Sequence, residues 1–195
     1  MPINRFWWRI KEKMIELFFQ KSRVFFYHTL SNIKIKARKI QPLLANGEGT
    51  IVIGKDVIFG VRYANDFYTK YGYLNVRKET SYIEIGDHCR INNNISIISD
   101  GKRIIISKNC LIGSDVQIID SDFHELNPNT RYGGKNVIKN DVFIGENVFI
   151  GNRVTILKGV TIGKNSVLGN GAVVTKDIPE NVVVAGNPAK VIKHL

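Results

Sequence analysis

An aliphatic residue stands at every sixth position from Ile138 onward: Ile138, Ile144, Ile150, Ile156, Ile162, Leu168 and Val174. Four residues after each comes a smaller or branched one: Val142, Val148, Val154, Val160, Ser166, Ala172 and Ile178. Gly follows the aliphatic at 145, 151, 163 and 169, and Asn147, Gly159, Asn165, Gly171 and Asp177 stand three positions after it. Such a period fits neither an amphipathic helix nor simple strand alternation. A short fixed repeat is the mark of a β-helix. Each hexapeptide supplies a short strand whose aliphatic residue faces an axial core. A corner follows, where Gly, Asn or Asp accepts positive φ or close approach. Three hexapeptides close a coil of about 18 residues, and each coil contacts only its neighbours, so the ends of the stack need caps.

The same grammar recurs upstream in other phases. Ile85, Ile91 and Ile97 form one block with Cys89 and Ile95; Ile106, Ile112 and Ile118 form another with Cys110 and Val116. Ile53 and Phe59 hint at a first partial coil. Phase slips mark inserted material: residues 61–82 with Tyr63, Phe67, Tyr68, Tyr71 and Tyr73, the turn "SDGK" at 99–102, and the segment 119–136. The expected organisation is a basic helical segment over 1–45, then an all-β solenoid over 46–195.

At 195 residues and 44% hydrophobic content one domain is expected, and no apolar run reaches the ~18 residues of a membrane span. Charges at Lys11, Glu12, Lys13 and Glu16 interrupt any signal-peptide core. The net charge of +11 is uneven: residues 1–40 carry ten Lys/Arg against Glu12 and Glu16. A basic end on a nearly neutral body suggests an anionic surface as partner. No nucleic-acid recognition motif accompanies it. Two cysteines cannot form a disulfide framework, and the repeat places both inward, as expected of a cytoplasmic, reduced chain.

The ending "VTKDIP…VAGNPAKVI", set on the repeat "VFIGENVFIGNRVTILKGVTIGKNSVLGNGAV", resembles the hexapeptide-repeat acyltransferases. The chain is most like galactoside and maltose acetyltransferases and the O-acetyltransferases of bacterial surface polysaccharides. The resemblance implies a left-handed parallel β-helix, against the usual crossover hand. It also implies acetyl-CoA as co-substrate, a sugar or oligosaccharide acceptor, and a homotrimer with sites shared between subunits.

A β-helix has flat faces, so a pocket must come from a loop that leaves the coil or from two prisms packed together. The segment 119–136 offers that loop and contains His124 beside Asp120, Asp122 and Glu125. Imidazole can take a proton from an attacking alcohol and return it later. A carboxylate such as Asp122 could orient it. In the resembling enzymes a loop histidine at the matching place is the base; a solvated loop histidine is the alternative. His28, His88 and His194 are scattered, which argues against the three imidazoles of a zinc site, so no metal is expected.

The resemblance further assigns Gly151–Asn152 and Gly169–Asn170 to the coenzyme A groove. Thr175 and Lys176 match its nucleotide contacts, and Lys190 and Lys193 match basic positions near the 3′-phosphate. The fold itself also calls for those glycines at corners. Asn94 falls where relatives bring an Asn to a sugar hydroxyl, although a corner ladder would use it equally. Phe6, Trp7, Ile10, Met14, Leu17 and Phe18 share one face of an N-terminal helix. That helix suits an anionic membrane, giving peripheral contact through residues 1–40 at the inner face. It equally suits a cap on the prism or packing in an oligomer.

The reading is therefore an O-acetyltransferase acting on a sugar hydroxyl of a surface glycan or its precursor. Rival readings are N-acetylation of an amino sugar and a non-catalytic β-helix scaffold.

Overall fold

The computed structural model describes residues 3–133 and 135–195. Strands of two to five residues run almost entirely parallel in three sheets, the three faces of a prism. On the first face Phe59, Ile91, Ile112, Ile150, Leu168 and Val184 stack in register. Ala45, Leu74, Ile97, Ile118, Ile156 and Val174 stack on the second. Ile53, Ile85, Ile106, Ile144 and Ile162 stack on the third. All of these except Ile53 are buried, so one aliphatic column lines each face and the columns meet on the axis.

Register measures the insertions. Ile144 pairs with Ile162 after 18 residues, Ile85 with Ile106 after 21, and Ile106 with Ile144 after 38. The turn near 100 therefore adds three residues and the central loop adds twenty. The residue three places after each inward aliphatic adopts left-handed φ at Asn94, Asn109, Asp115, Asn147, Arg153 and Asn165, and at Gly159 and Gly171. Asn and Asp tolerate that conformation best among residues bearing a Cβ, which explains the period of corner residues. Cys89 and Cys110 are free, buried thiols within the stack.

Three boundaries differ from the sequence reading. Ile138 keeps the period of six but is exposed, because it lies in the loop's returning limb; the inward positions resume at Val142 and Ile144. Residues 72–76, within the expected 61–82 insertion, form a strand of the second face, paired with Leu43–Gly47 and Ser96–Ser99. Alternation of Leu74 and Val76 with Tyr73 and Asn75 sets that strand's two sides. The helical segment also stops before 45. Helix α1 (Ile3–Met14) passes through a π-helical turn (Ile15–Gln20) into α2 (Lys21–Leu30), and residues 38–47 already pair with the prism.

Helix α2 is tied to the first coil. Gln20 is buried and donates to the carbonyls of Ile40 and Phe67, while Tyr27 lies 4.5 Å from Tyr71. The apolar face expected from Phe6 to Phe18 is exposed, Trp7 and Phe18 each by about three-fifths. Among the described residues, no helix is long and apolar enough to cross a membrane. At the far end Lys190–His194 turns back antiparallel on Val182–Ala185 and covers the last parallel strand.

Candidate active site

The central loop leaves the edge between the second and third faces, after Ile119, and is strapped at its root. Asp120 is buried, and its carboxylate accepts from the backbone N–H of Asp100 at 2.7 Å and of Lys102 at 3.0 Å. Ser99 Oγ sits 2.8 Å from the same carboxylate. Ser121 bridges antiparallel to Lys139, and Asp122 N–H donates to the Ile138 carbonyl at 3.1 Å. Two ion pairs then tie the limbs to adjacent coils: Lys139 to Asp100 and Lys158 to Asp122, both at 2.6 Å. Phe123 follows with left-handed φ of 59°, its ring under the Arg77 guanidinium. A bulky residue in that region is strained, and such strain persists where the surroundings hold it.

His124 stands next, exposed at the loop's surface. Its N–H donates to the Asp122 carbonyl at 2.7 Å, and its Nδ1 lies 3.3 Å from the Arg131 carbonyl. A carbonyl only accepts, so this contact favours the proton on Nδ1 and leaves the lone pair on Nε2. That is the tautomer a general base needs when its outer nitrogen meets the substrate. The residue expected to orient the ring, Asp122, is paired with Lys158 instead. Lys158 stacks one coil further along the same edge, a juxtaposition set by register that spacing could not reveal.

Glu125 organises the rest of the tip. It accepts from the Thr130 hydroxyl and from Asn136 N–H, and these contacts, the hydroxyl first, hold its carboxyl below the usual glutamate range. Leu126 and Tyr132 are left projecting, Tyr132 91% exposed. Its ring stands edge-on to His124 at 6.4 Å.

Thr175 and Lys176 lie at a later corner of this same edge, exposed and in line with Lys158. The edge between the first and second faces carries the other expected positions. There a cleft of about 450 Å³ is lined by Asn65, Ser114, Asp115, Asn152, Arg153 and Asn170 with Gly171. Asn170 Oδ1 accepts from Asn152 N–H at 2.8 Å, and Asn152 Oδ1 accepts from Ser114 N–H at 2.9 Å, an asparagine ladder up the corner. At Gly151 an added Cβ would fall 2.5 Å from Asn170 Oδ1, so the stacking itself demands glycine there.

Asn94 occupies the same edge earlier in the stack. Its side-chain amide donates to Asp115 Oδ1, and Lys70 Nζ lies 3.2 Å from the same oxygen. Burial opposes the charge on Asp115, but Asn94 and Lys70 prevail and hold it below the usual aspartate range. A neighbouring recess of about 290 Å³ is walled by Thr69, Lys70, Tyr71, Tyr73, Asn94 and Ser96. Lys190 and Lys193 are exposed on the final strand.

One chain therefore gathers His124, Thr175 and Lys176 on one edge and Asn94, Asn152 and Asn170 on another. Arg153 went unnoticed in the sequence. Its signal was a cation at a corner position that, His88 aside, is otherwise filled by Asn, Asp or Gly, and it adopts left-handed φ of 57°. His88 pairs weakly with Asp56 at 3.5 Å, and His28 and His194 lie near the two ends of the stack.

Residues 141–176 match the bacterial transferase hexapeptide family of six repeats. A galactoside O-acetyltransferase of Lactococcus lactis is 39% identical over 129 residues, 66% of this chain and 58% of that protein. Among solved structures, a galactoside acetyltransferase in complex with coenzyme A is 31% identical, covering 73% of this chain and 64% of that one, with a TM-score of 0.54. A maltose O-acetyltransferase from Clostridium difficile 630 is 32% identical over 76% of this chain and 68% of that one, with a TM-score of 0.52. The chain spans less than two thirds of the length of the curated galactoside relative. The three-faced prism, its register and these likenesses agree on a left-handed β-helix, and the chain belongs to the hexapeptide-repeat acetyltransferase family.

Proposed function

We propose that the protein transfers acetyl from acetyl-CoA to a sugar hydroxyl of a surface glycan or its precursor. The observation that carries this reading is the set of His124: a loop bound at its root to adjacent coils presents an imidazole whose Nδ1 faces a carbonyl. Nε2 would take the acceptor hydroxyl's proton as the oxygen attacks the thioester carbonyl carbon. The carbon–sulfur bond then breaks, and the imidazolium returns the proton to the departing thiolate. A backbone N–H would steady the oxyanion meanwhile. No covalent enzyme intermediate is required. In this scheme Asp122 acts at one remove, fixing the loop through Lys158.

The two edges suit a homotrimer. Exposed Leu126 and Tyr132 at the loop tip suit contact with a second prism. In such an assembly the His124 edge of one subunit faces the Asn152–Asn170 edge of the next. The donor lies between them, with Gly151 and Gly169 giving close backbone approach. Thr175, Lys176, Lys190 and Lys193, together with Arg153, would meet its nucleotide and phosphates. Asn94 and the tyrosine-walled recess beside it suit the acceptor sugar, an apolar ring face with polar tips. The exposed apolar face of α1, on a strongly basic segment, suits an anionic membrane surface.

The test is thiol release from acetyl-CoA against a panel of oligosaccharides and amino sugars, with product mapping. Turnover with hydroxyl acceptors supports the proposal. Turnover confined to amines assigns the N-acetyl reaction, and neither turnover nor thermal stabilisation by coenzyme A leaves a scaffold.

A further inference from the structure

Between the π turn, α2 and the first coil runs a groove of about 610 Å³ that the acyl-transfer site does not use. Lys21, His28, Arg38, Lys39 and Arg62 line it, with Val24, Phe25 and Ile40 supplying apolar wall and Glu16 the acidic group. Glu16 is occupied, since its carboxylate holds Arg62 Nη2 at 2.5 Å. Arg62 Nε is buried, with no hydrogen-bond partner among the described residues. A buried guanidinium N–H without an acceptor is costly, and an oxyanion is the ligand that Arg best satisfies.

His28 and Lys39 crowd each other, although Lys39 Nζ also donates to the Ile35 carbonyl at 3.0 Å. Lys39 Nζ lies 3.4 Å from His28 Nδ1. Lys39 and then burial push the His28 pKa down, and burial with Lys34 pushes Lys39 down. An anion in the groove would relieve both. Beside it, Phe25 is exposed, as are Phe18 and Phe19 on the turn before it, and the whole 1–40 segment is strongly basic. A phosphate site rimmed by exposed aromatic rings fits a phosphate at an interface with hydrocarbon.

We infer that this groove binds the phosphate headgroup of an anionic lipid while the exposed aromatic face of the N-terminal helices enters the bilayer surface. The lipid source of the phosphate rests on the membrane reading of α1; the cation cluster does not.

The test compares full-length protein on phosphatidylcholine vesicles carrying phosphatidic acid with vesicles of equal surface charge carrying oleate. The double variant Lys39→Gln/Arg62→Gln should lose more affinity on phosphatidic acid than on oleate, where only the surface attraction of roughly fivefold per cation is lost. Arg5→Gln/Arg9→Gln, equal in charge but outside the groove, should weaken both alike. Arg62→Lys tests the geometry, since it keeps the charge but lacks the Nε donor. Equal losses on both vesicles for the groove variant, or no wild-type preference for phosphatidic acid, overturn the headgroup site and leave the membrane reading of α1 standing. Wild-type protein that ignores vesicles but shifts its His28 ring resonances with inorganic phosphate overturns the lipid assignment and defines a free-phosphate site.

Discussion

Replacing Asp120 by alanine strikes the point where the central loop leaves the prism. The carboxylate is fully buried and accepts two backbone N–H groups, from Asp100 and Lys102. Ser99 Oγ is less dependent on it, because the Lys102 carbonyl lies 2.6 Å from that hydroxyl. The variant therefore orphans two backbone N–H donors. At about 1–3 kcal/mol each, moderated because Asp100 is only half-buried and Lys102 is exposed, the loss should be about 3 kcal/mol. For a chain of this size that corresponds to roughly 6–12 °C in Tm. Asp120→Asn keeps one acceptor oxygen and should lose about half as much. Differential scanning calorimetry gives the Tm, and coenzyme A titration with acetyl-transfer kinetics locates the damage. The turn at 100 and the loop root should loosen together, lowering kcat through His124 while coenzyme A affinity holds. A Tm within 2 °C of wild type in the alanine variant would refute the reasoning, as would an asparagine variant less stable than the alanine one.

Gly151→Ala forces a Cβ into Asn170 on the next coil and should cost about 1–3 kcal/mol, whereas Gly171→Ala has open space and meets only left-handed strain; chemical denaturation should rank the two in that order. Asp115 and Asp141 both titrate below the usual aspartate range despite burial, through Asn94 with Lys70 and through Arg103 respectively. Their stabilisation is complete above the unfolded pKa of about 3.9 and is lost as pH falls through the lower folded values, so Asp115→Asn and Asp141→Asn should flatten the acid limb of the stability curve. Co-folding His124→Ala chains with Asn152→Ala/Arg153→Ala chains should restore part of the activity missing from either parent, measured by thiol release. No recovery would place both edges' functions within one chain.

The core was legible because each hexapeptide reports its own inward residue, and stacking then aligns those residues without further information. Ile144 and Ile162 needed only a count of six, and Ile85 and Ile106 the same count restarted after each insertion. Ile138 misled the same count, since a loop residue can keep the phase by chance while its backbone has left the coil. The histidine's loop was legible as an interruption, but its wiring was not. Lys158 and Asp122 lie 36 residues apart and meet only because the loop adds twenty residues to one 18-residue coil. A carboxylate beside a histidine in sequence was thus a poorer guide than the corner stacked above it. The amphipathic face of α1 was readable from its spacing, whereas its exposure depends on the π turn and α2 docking through Glu16, Gln20 and Tyr27.

Steady-state kinetics of His124→Ala, at saturating acetyl-CoA and with the best acceptor from the panel, bear most directly on the account. Loss of a general base should lower kcat about 10²–10⁴-fold with coenzyme A affinity unchanged. A kcat within a fewfold of wild type would remove the imidazole from the chemistry and leave the loop a structural feature of the prism.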